Sequence, residues 1–268
     1  MKKKNLLWII AIIITILSAY YQRVTGPTYP VSGKAKLGNQ IIDYKLNRSN
    51  STSSNLKIEL KVKDEKVSGN VYWKRYKTND DWTVLKLERN GEYLIAEIPP
   101  QPRAGKIEYR IELFYEGTSI LIPEDEAVIL RFKDDVPVLI LIPHILFIFL
   151  AMVFSTRSGL EYFNPEKNYG KLVHLTLAFI LLGGFVFGPL VQYFAFGEWW
   201  TGIPFGFDLT DNKTLIALIF WLIAFYKMKK SQNFEKWILI AAIVMFIVFL
   251  IPHSLFGSEL DYSKMNMK

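Results

Sequence analysis

The chain has 268 residues, 51% of them hydrophobic and 21% charged, with a formal net charge of +7. A uniform soluble domain rarely combines these properties, and here the charges are segregated. Residues 22–135 hold 19 basic and 17 acidic side chains, an ordinary balance, so most of the basic excess lies around the apolar stretches. There it reads as orientation signals and lipid-headgroup contacts rather than a nucleic-acid surface. The chain has no cysteine, which excludes disulfides, thiolate zinc sites, iron–sulfur clusters and a cysteine nucleophile.

Lys2, Lys3 and Lys4 precede an apolar run from Leu6 to Leu17, and together residues 1–21 read as a signal anchor. A cleavable signal peptide has the same form, and Leu17-Ser18-Ala19 is a poor cleavage site. Trp8 and the pair Tyr20-Tyr21 suit interfacial anchors of a retained span. Residues 22–38, with Gly26, Pro27, Pro30 and Gly33, read as an extended linker.

Between residues 39 and 135 the pattern becomes alternating. Lys57-Ile58-Glu59-Leu60-Lys61-Val62 predicts a half-buried strand, and Ile107, Tyr109, Ile111 and Leu113 predict the inner face of another. Arg89-Asn90-Gly91 and Glu116-Gly117 predict hairpin turns, since glycine and asparagine tolerate positive φ. Residues Trp82–Leu87 and Ala127–Phe132 read as further strands, giving about seven in all, as in a two-sheet sandwich.

Trp82, the Asn-Gly turn, the Pro-rich stretch Ile98-Pro99-Pro100-Gln101-Pro102-Arg103-Ala104-Gly105 and Ile107-Glu108-Tyr109-Arg110-Ile111 together resemble the fibronectin type III-like and immunoglobulin-like β-sandwiches of bacterial exported proteins. The resemblance covers about sixty residues and implies that the Pro-rich segment crosses between sheets, with Tyr109 packing near that corner. It carries no implication for the helices and almost none for function, because such sandwiches serve as spacers, binding modules and scaffolds.

Lys133-Asp134-Asp135 then leads directly into four apolar stretches within residues 136–256: Val136–Phe154, Leu172–Phe196, Leu215–Tyr226 and Trp237–Phe256. A span needs about 20 residues, which the third of these falls short of unless it extends back to Leu209. The fold class is therefore an α-helical membrane bundle of about five spans with an inserted all-β sandwich. Lys2, Lys3, Lys4, Arg157, Lys167, Lys171, Lys227, Lys229, Lys230 and Lys236 fall on one set of termini and loops, which predicts that side to be cytoplasmic. The sandwich, the loop 197–212 and the tail 257–268 then lie outside, in the expected setting of a bacterial inner membrane.

His144 in Leu141-Ile142-Pro143-His144-Ile145-Leu146-Phe147 and His253 in Leu250-Ile251-Pro252-His253-Ser254-Leu255-Phe256 sit in nearly identical sequence. Both fall in the outer half of their spans, where two imidazoles could bind haem b iron or a divalent metal, with Glu198, Asp208 and Asp211 as further metal ligands. The bland alternative is that each imidazole hydrogen-bonds carbonyls that proline leaves unpaired. Trp199, Trp200, Pro204 and Phe205 belong to a loop that reads as an interfacial anchor or as a lid. Thr210-Asp211-Asn212 reads as the N-cap of the following helix, and Gly184–Gly188 permits close helix approach next to the helix-weakening Gly183-Gly184 and Pro189.

There is no Gly-rich phosphate loop and no His-x-x-x-His pair. The expected function is a non-enzymatic, membrane-anchored interaction or assembly component that offers its sandwich to a membrane or extracytoplasmic protein. A redox or metal protein using His144 and His253, and a transport component, remain as alternatives.

Overall fold

The computed structural model describes residues 3–230, 233–253, 255, 257 and 259–267. Two compact units divide the chain: Met1–Pro27 with Val136–Ser258, and Thr28–Asp135 with Glu259–Lys268.

The first unit is helical. Among the described residues, four helical stretches are long and apolar enough to cross a membrane: Lys4–Val24, Val138–Phe163, Gly170–Phe196 and Leu209–Lys230. They contain α1 (Lys3–Val24), α2 (Val138–Leu160), α3 (Gly170–Ile180), a π-helical segment (Leu181–Phe187), α4 (Gly188–Phe196) and α5 (Leu209–Lys230). The last helix, α6 (Phe234–Leu250), has 17 residues. Expected lengths are thus exchanged, because charged residues prolong α5 at both ends while Pro252 stops α6 early.

Neighbouring helices alternate in direction. Trp8 of α1 meets Phe154 near the end of α2 at 5.3 Å, while Gln22 at the other end of α1 reaches the last carbonyls of α6. His174 in α3 meets Phe225 in α5 at 5.3 Å, and Lys213 at the start of α5 reaches the end of α6. Small residues make the approaches close. Ala11, Thr15 and Ser18 form the buried stripe of α1, and a Cβ on Gly159 would lie 2.7 Å from that of Ala242. Gly183 and Gly184 sit in the π-helical segment, where a Cβ on the first would lie 2.9 Å from the Ile148 nitrogen and one on the second 2.5 Å from Thr214 Cγ2.

The second unit is β-sandwich-like. The hairpin β1 (Val31–Leu37) and β2 (Gln40–Leu46) takes up residues 31–38 of the stretch expected to be a linker, whose first residues continue α1. One sheet has the order β3 (Ser49–Ser51), β11 (Val128–Lys133), β9 (Lys106–Tyr115), β5 (Ser68–Arg75) and β6 (Thr83–Lys86), with β10 (Thr118–Ile122) also on β9. The other has the order β4 (Leu56–Lys61), β8 (Tyr93–Ile98) and β7 (Glu88–Asn90). Strand β3 is parallel to β11, and the remaining pairs are antiparallel.

Alternation decides the faces as expected. In β4 buried and exposed residues alternate without a break, and in β9 Ile107, Tyr109, Ile111 and Leu113 are fully buried. Both hairpins form. Asn90 pairs with Tyr93, so Gly91 (φ 59) and Glu92 make the turn, with glycine at the first central position as a type II′ turn requires. Glu116 (φ 45) and Gly117 (φ 82) are both left-handed, the signature of type I′.

The strand expected over Trp82–Leu87 forms as β6 in one sheet, and after the buried Leu87 a further strand, β7, joins the other. The residue that packs on the core is Trp73 of β5, whereas Trp82 lies before β6 on the outward face. The Tyr109 hydroxyl donates to the Asn47 carbonyl at 2.8 Å, in the link from β2 to β3 rather than in the Pro-rich crossing.

The end of the β unit is clipped. Ser51 and Ser53 donate to Asp135 at 2.9 and 3.0 Å, Thr52 donates to Asp134, and the Thr52 N–H bonds the Lys133 carbonyl at 3.0 Å. Only residues 134–137 separate β11 from α2.

Replacing Gly183 or Gly184 by alanine overpacks a closed contact, which costs about 1–3 kcal/mol. Both variants should unfold at lower denaturant than the parent in detergent, while Gly170→Ala, whose Cβ meets nothing, should not.

Candidate functional site

His144 lies on α2 one residue after Pro143, and its Nδ1 is 2.9 Å from the Gly183 carbonyl oxygen. A carbonyl can only accept, so Nδ1 carries the proton and the neutral ring has its free lone pair on Nε2. The acceptor belongs to the π-helical segment, where the ordinary helical bonding pattern is broken. Its counterpart His253 is not in a helix. Leu250 ends α6, Ile251 is extended, and His253 is exposed in the turn that follows Pro252. Similar local sequence therefore gives two unlike environments: Pro143 stands in the first turns of a long helix, whereas Pro252 follows the last helical residue.

The acidic residues grouped with these histidines have other partners. Asp208 stands just before α5 and caps it, its Oδ1 accepting the Thr210 N–H at 2.8 Å, so the cap precedes the expected Thr210-Asp211-Asn212. Asp211 Oδ2 accepts the Thr201 and Gly202 N–H groups at 2.7 and 3.1 Å and also the Gln192 amide and Thr201 hydroxyl, both at 3.3 Å. Asn212 Oδ1 accepts the Ile203 N–H at 2.7 Å. Glu198 is exposed. Among the described residues, no three His, Cys, Asp or Glu side chains converge on a metal-sized site.

These bonds fold the loop 197–208 onto the start of α5. Trp200 stacks on Phe185 at 5.5 Å and donates to the Ile203 carbonyl at 3.1 Å, and Trp199 stacks on Tyr193 at 4.4 Å. Pro204, Phe205 and Phe207 are left exposed, the two phenylalanines at 82% and 88%.

Three buried charged side chains of the helical unit, Arg157, Glu161 and Lys213, have partners that the sequence pattern does not announce. Arg157 and Glu161 form an ion pair with both side chains 2% exposed. Glu161 also accepts from the Asn164 amide at 2.9 Å and the Asn168 N–H at 2.8 Å, while the guanidinium lies 5.5 Å from the Trp8 ring. Lys213, 2% exposed, donates to the Ile251 carbonyl at 3.0 Å. The i,i+4 spacing of Arg157 and Glu161 was the available signal, masked by their position at the end of an apolar run.

On the β unit, the outward face of β5, β6 and β9 carries the densest group of aromatic and charged side chains. Arg110 lies 6.0 Å from the Tyr72 ring and 5.0 Å from Trp82, and Lys74 lies 5.1 Å from Trp82. Lys74 pairs with Glu108 at 3.2 Å, their side chains 22% and 23% exposed, and the Tyr72 hydroxyl donates to Glu112 at 2.8 Å. Antiparallel register causes this: Tyr72 faces Arg110 and Lys74 faces Glu108 across the β5–β9 ladder. Each side chain is held by a neighbour, so the face is ordered before anything touches it. In the sequence these carboxylates are scattered among lysines, and only the strand register brings them together.

The tail also belongs to the β unit. Glu259 pairs with Lys77 at 3.1 Å and Lys106 at 2.6 Å, and the Leu260 N–H bonds the Ala104 carbonyl at 3.0 Å. Burial pushes the Glu259 carboxyl up, but the hydrogen bonds and charges of Lys106 and Lys77 outweigh it and hold the group below the ordinary carboxylate range. Comparison with known protein families, curated proteins and solved structures gives no match.

Removing one partner of the Arg157–Glu161 pair leaves a buried charge uncompensated, at a cost of about 3–5 kcal/mol. Glu161→Ala should therefore lower the unfolding midpoint in detergent strongly, and Arg157→Leu combined with Glu161→Leu should recover much of the loss. For the tail, a carboxylate whose pKa falls on docking stabilises the docked form above its ordinary pKa and gives that up as pH falls through the depressed value. Exchange protection of the Leu260 amide should be full at neutral pH and fade below the ordinary carboxylate range, and Glu259→Gln should abolish that pH dependence.

Proposed function

We propose that the chain is an integral membrane protein of a bacterial cytoplasmic membrane that presents its sandwich to a protein partner at the outer surface. Alternating helix directions put Trp8, Arg157, Lys167, His174 and the last turn of α5 (Lys227, Lys229 and Lys230) at one end of the helical unit. That end carries the lysine-rich loops, which supports a cytoplasmic assignment. At 1.5 Å per residue α6 spans about 25 Å, close enough to a hydrocarbon thickness of about 30 Å for local thinning to absorb the difference. Retention of α1 is supported by the burial of Ala11, Thr15 and Ser18 and by the bonds of Gln22 to α6. The parallel β3–β11 pair and the sheets β11-β9-β5-β6 and β4-β8-β7 support the immunoglobulin-like or fibronectin type III-like resemblance.

The observation that carries the functional reading is the outward face built from Tyr72, Lys74, Trp82 and Arg110. Tryptophan, tyrosine and arginine dominate the binding energy of protein interfaces, and side chains already fixed in place lose little entropy on docking. A photo-crosslinker placed at Val84, 51% exposed on β6, should capture one reproducible partner in native membranes. Trp82→Ala with Arg110→Ala should reduce that capture at least about ten-fold, the loss expected for a side chain worth over about 1.4 kcal/mol. Unchanged capture would remove the basis for this reading.

One observation favours the redox or metal alternative: His144 donates through Nδ1 to a backbone carbonyl, the arrangement that orients an imidazole to ligate through Nε2. A Soret band or a stoichiometric metal in purified protein, lost in His144→Ala, would support it.

A further inference from the structure

The tail seat and the outward face meet on β9, where Lys106, Glu108 and Arg110 alternate on one side of the strand. Part of the seat is held by contacts that do not involve the tail. Asp80 grips Arg75 through two bonds, 2.6 and 2.9 Å, and so fixes the guanidinium plane that covers the Tyr262 ring at 5.1 Å. Two of the three non-glycine residues with left-handed backbone in the described chain, Lys77 (φ 57) and Ala104 (φ 61), belong to this corner and touch the tail. Such conformations store strain and cluster where a ligand is held. Here the turn at Ala104 presents its carbonyl to the Leu260 N–H. Gly105 leaves the room: a Cβ there would lie 2.7 Å from the Tyr262 hydroxyl, which donates to the Lys106 carbonyl at 3.1 Å.

We propose that this corner is a peptide-recognition seat for segments with a carboxylate three positions ahead of a tyrosine, filled in the resting chain by its own Glu259–Tyr262 and taken over by such a segment of a partner protein. The proposal rests on the interaction-component reading and names the chemistry that the partner brings.

The contacts are modular and individually weak. The Lys77 side chain is 64% exposed, and ion pairs of that kind are screened by water and salt. The covalent tether adds to these contacts an effective concentration of the order of millimolar. A second copy of the chain offers the same tail without that tether and loses to the resident one. A partner that also engages the adjoining face gains contacts the tail does not make, so it can displace the tail.

The test uses the full chain in nanodiscs, the same chain ending at Ser258, and a full-length form carrying Glu259→Gln with Tyr262→Ala. The probe is a labelled peptide with the sequence of Glu259–Lys264, followed by anisotropy. The expected result is saturable binding to the truncated and doubly substituted forms and at least ten-fold weaker binding to the intact chain. Replacing the peptide's glutamate by glutamine or its tyrosine by alanine should weaken binding at least ten-fold, and Lys106→Met in the truncated chain should do the same. Absence of saturable binding to both tail-released forms, equal binding to the intact chain, or indifference to the peptide changes would overturn the proposal. The Val84 crosslink reports separately: capture that persists without peptide binding leaves the interaction reading standing and removes this one. Peptide binding without capture does the reverse.

Discussion

Backbone carbonyls set the terms of the helical unit. In a helix with few polar neighbours, a carbonyl released from the ordinary ladder has no water to turn to and must find a side chain. The π-helical segment and the broken end of α6 are the places where this matters. His144 serves the Gly183 carbonyl, and Gln22 serves those of Phe249 and Ile251 at 2.7 and 3.1 Å, with Lys213 sharing the last. The two irregularities are thus where α1, α5 and α6, and α2 with the third long helix, are tied by polar bonds. Small residues bring the backbones near enough for those bonds to form.

The β unit solves a different problem. Its core is supplied by strict alternation, which leaves polar side chains free for the outer surface. On β5 and β9 the register pairs them into a fixed array of aromatic and cationic groups. At one end of the same strands the backbone turns through Lys77, Ala104 and Gly105 and receives Glu259 and Tyr262. Ser51, Thr52 and Ser53 hold Asp134 and Asp135, so the last residues of the unit are as well fixed as its strands.

Much of this was legible in the sequence. Alternation in Lys57–Val62 and Ile107–Leu113 identified strands and their inner faces, and Glu116-Gly117 identified a turn, because those signals are local. Gly183-Gly184 announced a weakened, closely packed helix. The histidines show where local reading stops. Five matching neighbours give His144 and His253 the same expected role, yet a proline near the start of a long helix and one just past a helix end have opposite consequences. The attachment of the tail is not legible in the sequence, because it depends on Lys77, Lys106 and Ala104, more than 150 residues away in the chain.

In the proposed topology the sandwich and the lysine-rich helix ends lie on opposite sides of a membrane. A chain without cysteine is well suited to testing it. Single cysteines introduced as Lys45→Cys in β2, Phe207→Cys in the aromatic loop and Glu166→Cys in the loop after α2 can be offered a membrane-impermeant maleimide in intact cells and after lysis. With that topology the first two label in intact cells and the third only after lysis. Labelling of Glu166→Cys in intact cells, with the sandwich position protected until lysis, would contradict it.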